Sequence, residues 1–493
     1  MLKKFLIVIS LVCVCGIIVF FFFFLKKQHS KNDFDVVNVV PINTFCVLKI
    51  NDVSNFTNYI SKSNEIWQGL SFIPAIDNIN NNLLLIDSIV KKSGTLSDFL
   101  DKRQAIVSLH FTGNKSFDYL FAINMENEIN SEACVELLSS YLGVNGKISS
   151  FKYDQTYIYQ YISNDNNDQF YFSIINNVLV ASKLKVLVQS SIGQVNSGES
   201  LLKNKDFALV HTSSDSEKDA NIYIDYKEIS KFLALFSSEI YYPKIYQANK
   251  IASWSELDVT AKKTSILSSG IITTDTTSDN YFSLFLHQKP VHIKIQSVIP
   301  SSASIIVSMA VSDPQAFKLC RENYLKRIGV YTGYREQLDK LDTLCNTNVE
   351  DVFYSIIEDE MCAVIYGDKP SVENENSFAI FNTKSRSLTE EKLLGLLDAY
   401  AYKNNLKLES LRSEFKIDND MEFKIYKMPD MMIPQKIFGD LFAFTEANYF
   451  VLIDNYLVFG NTISSLSMYI KEYVLNKTLA NDKQFKEIES TMA

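Results

Sequence analysis

The chain is poor in the residues that build most catalytic sites. It holds 5 histidines, 2 tryptophans, 9 prolines and 15 glycines in 493 residues. His29, His110, His211, His287 and His292 never pair at i, i+4, and none stands beside cysteines at zinc spacing, which excludes the common zinc motifs. His110 alternates within the apolar stretch 106–111 and reads as a strand residue. His287 and His292 flank Lys289-Pro290 in a turn. No Gly-x-Ser-x-Gly elbow, P-loop or dinucleotide fingerprint is present. The acidic runs 165–168 and Glu358-Asp359-Glu360 lack the alternation and the glycine of a calcium loop, so both read as solvated charge. No catalytic, cofactor-binding or metal-ligating residue is assigned, and no cofactor is expected.

Cysteine is no framework either. Cys13 and Cys15 lie in the apolar N-terminal run; the others are Cys46, Cys134, Cys320, Cys345 and Cys362. An odd number outside that run argues against a disulfide scaffold. Cys46, Cys134 and Cys362 read as small buried hydrophobes, and Cys320 with Cys345 is the one pair considered as a bridge. Basic charge is also short: 48 Lys and Arg against 57 Asp and Glu give a net charge of −9. That balance, with no basic stripe, argues against nucleic acid as a partner.

Long apolar runs are absent except for one. Residues 5–25 are uncharged and nearly all apolar, with phenylalanine at every position from 20 to 24. At ~1.5 Å per residue this run spans about 31 Å, the thickness of a bilayer core. It is longer than a cleavable signal core and ends in bulky residues, so it reads as an uncleaved signal-anchor. Lysines flank both ends and leave the orientation open to the positive-inside rule. The short N-terminal tail places the body in the periplasm, on a single-pass inner-membrane span.

What the chain has in abundance is itself. Val40-Pro41 is answered by Ile299-Pro300. Phe121-Ala122-Ile123-Asn124 is answered by Phe378-Ala379-Ile380-Phe381, Phe151-Lys152-Tyr153-Asp154 by Phe415-Lys416-Ile417-Asp418, and Tyr171-Phe172 by Tyr449-Phe450. The blocks keep their order and their separation only grows, too long a period for a solenoid. They read as two copies of one unit. Asn176-Asn177 and Asp454-Asn455 sit between apolar runs as hairpin turns. Residues 131–142 and 389–401 read as helices with Ser or Thr caps. The expected fold is therefore α+β: tandem duplicated units, each a largely antiparallel sheet with helices packed on one face, after an N-terminal transmembrane helix. Boundaries fall at 1–27 for the anchor, 28–35 for a tether, 36–298 for the first unit and 299–493 for the second. The first copy continues into a strand and helix from Asn221 and a strand pair at 254–258 and 264–274. The second has no match to 208–298 and is expected to be incomplete.

Trp67, with Leu70 and Phe72, reads as a segment tucked into a core, and Trp254 reads as core. With 34 Phe and 26 Tyr, a curved aromatic sheet suits an apolar ligand as well as an ordinary interior. The anchor, Val39-Val40-Pro41 leading to Leu48-Lys49-Ile50-Asn51-Asp52, and the stretch from Trp254 to Asp258 resemble a family of membrane-anchored envelope proteins of Bacteroidota known only as a domain of unknown function. That resemblance implies no activity, cofactor or site residues. The expected role is a non-catalytic binding or scaffold protein of the envelope, with the membrane as one partner and an envelope protein as another. The alternatives are a carrier of lipid or another hydrophobic ligand, and an envelope enzyme with a site between the two copies.

Overall fold

The computed structural model describes residues 34–53, 56, 63–72, 77, 103–113, 116–125, 146–164, 169–274, 278–366, 376–418, 421–430 and 432–490. The expected span 5–25, the helix expected at 131–142, the acidic run 165–168, and His29, Cys13, Cys15 and Cys134 lie outside the described residues. Among those described, no helix is long and apolar enough to cross a membrane. The body divides into two compact units, one running to Asn249 with Ser253–Thr273, the other comprising Lys250–Ala252 and the chain from Thr274.

The first unit contributes β1 (Thr44–Ile50), β2 (Ala105–Gly113), β3 (Ser116–Asn124), β4 (Gly146–Tyr153), β5 (Thr156–Ser163), β6 (Gln169–Ile175), β7 (Val178–Ser182), β8 (Ala220–Asp225), β9 (Trp254–Ala261) and β10 (Ile266–Ile272). Its helices are α1 (Glu65–Gly69), α2 (Lys185–Ser197), α3 (Lys205–Ser213), α4 (Tyr226–Leu235) and α5 (Tyr242–Ile245). The second unit holds β11 (Ala303–Ala310), β12 (Ile357–Tyr366), β13 (Ser377–Thr383), β14 (Arg412–Lys416), β15 (Glu422–Lys427), β16 (Tyr449–Ile453) and β17 (Tyr456–Gly460). Its helices are α6 (Pro314–Arg327), α7 (Tyr331–Cys345), α8 (Val349–Ile356), α9 (Arg386–Lys403), α10 (Ile433–Phe438), α11 (Ile463–Val474) and α12 (Lys483–Glu489).

Both sheets are antiparallel. One runs β10-β9-β8-β1-β2-β3-β7-β6-β5-β4 and the other β11-β12-β13-β17-β16-β15-β14. From β1 outward to β4, the first order is repeated by the second from β11 to β14. Local chemistry matches too. Asn176 and Asn177 turn the β6–β7 hairpin at φ 49 and 63, left-handed values that Asn tolerates. In the β16–β17 hairpin Asp454 alone takes such a value, φ 49. The carbonyl of Asn177 accepts from Met125 N at 2.9 Å, and that of Asn455 from Thr383 N at 2.9 Å.

Pairing also changes the correspondence between the two sheets that matching letters suggest. Val180 lies opposite Ala122 and Val458 opposite Ile380. The residue standing where Ala122 stands is therefore Ile380, and not Ala379 as the matching letters suggest. One residue of slip exchanges the two faces of a strand, so the burial decides it: Ala122 packs with α2, and Ile380 with α11.

Helices cover both faces of the second sheet, against the expectation of one. Cys362, Val364, Phe378 and Ile380 pack under α11. The alternate residues Met361, Ala363, Ala379 and Phe381 pack under α6 to α10. Strands apolar at every position need two covers. The helix expected at 389–401 starts earlier: Ser385 caps it by accepting from Leu388 N, and Thr389 instead donates to Ser385 O at 2.8 Å inside the first turn. The segment around Trp67 is no core element. Phe72 is 80 % exposed. What holds α1 is buried Asn64, whose amide donates to the carbonyls of Lys262 and Ser265 in the β9–β10 turn.

Candidate functional site

On one face of the first sheet lies a buried polar array. His110 Nδ1 is 3.1 Å from Asn43 Oδ1, and Nε2 is 2.8 Å from Ser108 Oγ. The order serine, imidazole, amide is that of a nucleophile with its base and orienting group. Asn43 is at the surface, but Ser108 and His110 are fully buried. The serine, where a carbonyl would have to dock, is the closed end. Burial pushes His110 down to about 4, so the imidazole is neutral and acts as a strand residue linking β2 to the turn before β1.

Toward the other end of β1, Asn221 Nδ2 donates to Asp258 Oδ1 at 2.6 Å and to Glu256 Oε1 at 3.3 Å. Asn51 Nδ2 in turn donates to Asn221 Oδ1 at 2.9 Å. Burial, then the hydrogen bond and charge of Asp258, push Glu256 up to about 8. A neutral carboxylic acid can share its proton with the neighbouring carboxylate. These groups tie β1, β8 and β9 to the loop carrying Asp215, whose N–H also donates to Asp258.

The second unit has its own buried charges. Glu360, expected as solvated charge, is fully buried and accepts from Lys294 N at 2.6 Å. Burial raises its pKa. Buried Glu350 accepts from Tyr334 Oη and from Arg335 Nη1, so it clamps α7 to α8. Cys320 and Cys345 are free thiols and not a bridge, as are Cys46 and Cys362. Burial pushes Cys345 and Cys362 up to about 12, which leaves them unreactive thiols. Among the described residues no cluster of His, Cys, Asp and Glu could hold a metal ion.

The open chemistry lies on the opposite face of the first sheet. A bulge between Thr44 and Cys46 turns Phe45 to that side. Its ring stacks on Phe111 at 4.5 Å and meets Phe232 of α4 at 5.1 Å. Phe232 also packs edge-on against Phe117 and Phe236. Asp225 caps α4 by accepting from Lys227 N. Next to this cluster is a groove of about 660 Å³ walled by Phe111 and Gly113 of β2, Ala234 and Leu235 of α4, and Tyr242 and Tyr246 beyond it. An ion pair, Lys231 to Glu228 at 2.5 Å, stands at its rim. Outside the groove the chain projects large apolar side chains into water: Phe236 is 58 % exposed and Ile240 78 %, with Leu233 and Tyr241 beside them. The groove joins residues far apart in sequence, so periodicity could not reveal it. The run Phe232-Leu233-Ala234-Leu235-Phe236 was the available signal, since it is too wide for one buried stripe of a helix.

No curated protein and no solved structure matches the chain. One family model does, over residues 95–417, reaching from before β2 of the first sheet through β14 of the second. The chain therefore belongs to the family described as "Protein of unknown function (DUF3352)".

Proposed function

We propose that this is a non-catalytic binding or scaffold protein of the bacterial envelope, of the Bacteroidota type. Residues 5–25 anchor it in the inner membrane, and its body, built from a duplicated α+β unit, stands in the periplasm. The observation that carries the binding role is the apolar projection beyond α4. Soluble surfaces rarely gather side chains such as Phe236, Ile240 and Tyr241 in one exposed stretch unless they meet a partner. The shared strand order and the paired Asn177 and Asn455 carbonyl contacts favour duplication.

The test is fractionation of cells making the full chain, followed by protease treatment of spheroplasts. The expected result is a membrane-bound chain whose body is cut from outside. A body recovered free in the cytoplasm, or protected in intact spheroplasts, overturns the placement. A photo-crosslinker at Phe236 or Ile240 should then trap an envelope partner that one at exposed Tyr402 does not. Equal labelling at all three overturns the binding surface.

A second reading, a lipid carrier, is favoured by the groove, whose ~660 Å³ is within the range of small-molecule sites and whose lining sets Phe111, Leu235 and Tyr246 beside the charged Glu228 and Lys231, as a ligand with a polar head requires. The purified full chain would then retain a lipid in fixed proportion, and Tyr246→Glu would release it. Retention unchanged by that substitution removes this reading.

A further inference from the structure

Asn221 has more acceptors around it than it has hydrogens to give. Its Nδ2 lies 2.6 Å from Asp258 Oδ1, 3.1 Å from Asp215 O and 3.3 Å from Glu256 Oε1. An amide nitrogen carries two hydrogens, so one of the three acceptors goes unserved. Turning the amide over is no remedy, because Asn51 Nδ2 donates to Asn221 Oδ1 at 2.9 Å. Two of the three acceptors are carboxyl oxygens meeting at one atom, and buried like charges that close do not both ionise. One proton shared between Glu256 and Asp258 answers both demands. Glu256 is the more enclosed of the two, with 1 % of its surface exposed, and is the one that carries it.

Asp258 is also where a loop is fastened. Ser214 ends α3, its Oγ donating to His211 O at 2.8 Å. The next residue, Asp215, gives its N–H to Asp258 Oδ1 at 2.9 Å. The far end of the loop is pinned independently. Asp219 Oδ2 accepts from Ala261 N at 2.8 Å, and Asp219 O from Asn51 N at 3.2 Å. Only the end next to α3 depends on the acid pair.

The other charges nearby do not neutralise Glu256. Tyr223 of β8 lies opposite it in the pairing, and His211 of α3 stacks on Tyr223 at 5.8 Å. Asp35 stands 3.3 Å from His211. Lys49 of β1 lies opposite Asn221, Lys218 pairs with Asp215 at 3.8 Å, and Glu217 is exposed. Among the described residues no cation forms an ion pair with Glu256.

We propose that Glu256 and Asp258 form a proton-operated latch on the loop 214–219, which holds Asp215 and the end of α3 closed when protonated and opens them when ionised. Loss of the shared proton leaves two buried negative charges on one amide. Glu256 sits within β9, paired on one side with Tyr223 of β8 and on the other with Ile271 of β10, and cannot move out to solvent. Water must come to it, and the cover that can lift is the loop end at Asp215. Glu256 titrates at about 8, so the latch is closed at neutral pH and opens above it.

The experiment is hydrogen exchange of the full chain in detergent, read by mass spectrometry from pH 7 to 9 and corrected for the intrinsic rate at each pH. Protection of a peptide covering 214–219 should fall about tenfold by pH 9, one unit past the titration of Glu256, relative to a peptide covering 44–50 in β1. Glu256→Gln and Asp258→Asn each put a permanent amide donor where the proton was. Both should keep the loop protected at pH 9, and circular dichroism unchanged from wild type shows that the fold is kept. Loop protection that is level from pH 7 to 9 overturns the inference. So does a loss shared equally by β1, or a loss that persists in either amide variant.

Discussion

Two short helices, α3 and α12, begin alike, and among the described residues only α3 lies on strands that bury its phenylalanine. α3 is capped by Asn204, whose side chain accepts from Phe207 N at 3.2 Å. α12 is capped by Asp482, which accepts from Phe485 N at 2.8 Å. Phe207 is fully buried against Tyr223 of β8 and Trp254 of β9, at 5.3 and 5.0 Å between ring centroids. Phe485 is only partly buried, and α12 has no buried residue. Among the described residues the difference is three strands: β8, β9 and β10 extend the first sheet beneath α3, and no described strand extends the second sheet beyond β11. A cap sets where a helix begins. Burial beneath it sets what the helix contributes, since most helical stability in proteins is tertiary.

The strongest way to break this comparison is to truncate the two phenylalanines. Phe207→Ala empties a closed site and should cost about 3–5 kcal/mol. Phe485→Ala should cost less than about half of that. Both tryptophans lie in the first unit, so tryptophan fluorescence during urea unfolding of the full chain reports that unit alone. The midpoint should fall sharply for Phe207→Ala and stay in place for Phe485→Ala. Equal shifts would mean that the extra strands are not what distinguishes the units.

Acidity sharpens the comparison further, because the polar array belongs to the extended sheet. Glu256 is raised from 4.5 to about 8. The folded state therefore binds more protons than the unfolded one between those values, and this contribution falls as pH rises from 4.5 to 8. His110 is lowered from 6.5 to about 4. There the unfolded state binds more protons, and stability grows as pH rises from 4 to 6.5. The two slopes oppose below pH 6.5, and above it Glu256 dominates. At ~1.4 kcal/mol per unit, the 1.5 units left to Glu256 are worth about 2 kcal/mol. The fluorescence midpoint of the wild type should thus decline from pH 6.5 to 8. Glu256→Gln, which titrates nowhere in that range, should flatten the decline and unmask, below pH 6.5, the loss from His110 that Glu256 offsets in the wild type. A wild-type midpoint level from 6.5 to 8 would remove Glu256 as its cause.

How far the sequence spoke follows from which interactions are local. The Asn176-Asn177 turn and the β9–β10 pair were legible because turn residues and alternation act over a few positions. The frame of β3 against β13 was not. Phe121-Ala122-Ile123 and Phe378-Ala379-Ile380 match by letter, yet Val180 and Val458 across the sheet place Ile380 where Ala122 stands. Glu360 looked solvated beside Glu358 and Asp359, and alternation does not separate it from Glu358 two residues away; the distant segment at Lys294 buries it, with Lys294 N donating to its carboxyl. The groove beside α4 was hidden for a related reason. Phe111 and Tyr246 meet there only because the end of β2, an interior strand, and the turn beyond α4 are brought together on one face of the sheet.

The smallest expected effect concerns the caps, and here the two units should agree. Asn204 and Asp482 each satisfy a free N–H in the first turn, a backbone need that exists whether or not strands lie below. Asn204→Ala and Asp482→Ala should each cost about 1 kcal/mol. Hydrogen exchange read by mass spectrometry on peptides covering 205–213 and 483–489 follows each helix separately, which fluorescence cannot do for the second unit. Each substitution should speed exchange about fivefold in its own helix and leave the other unchanged. If Asp482→Ala frees α12 far more than Asn204→Ala frees α3, the cap carries stability in the second unit that Phe207 carries in the first. The two helices would then share a position and a beginning, but be held from opposite ends: α3 by its floor and α12 by its cap.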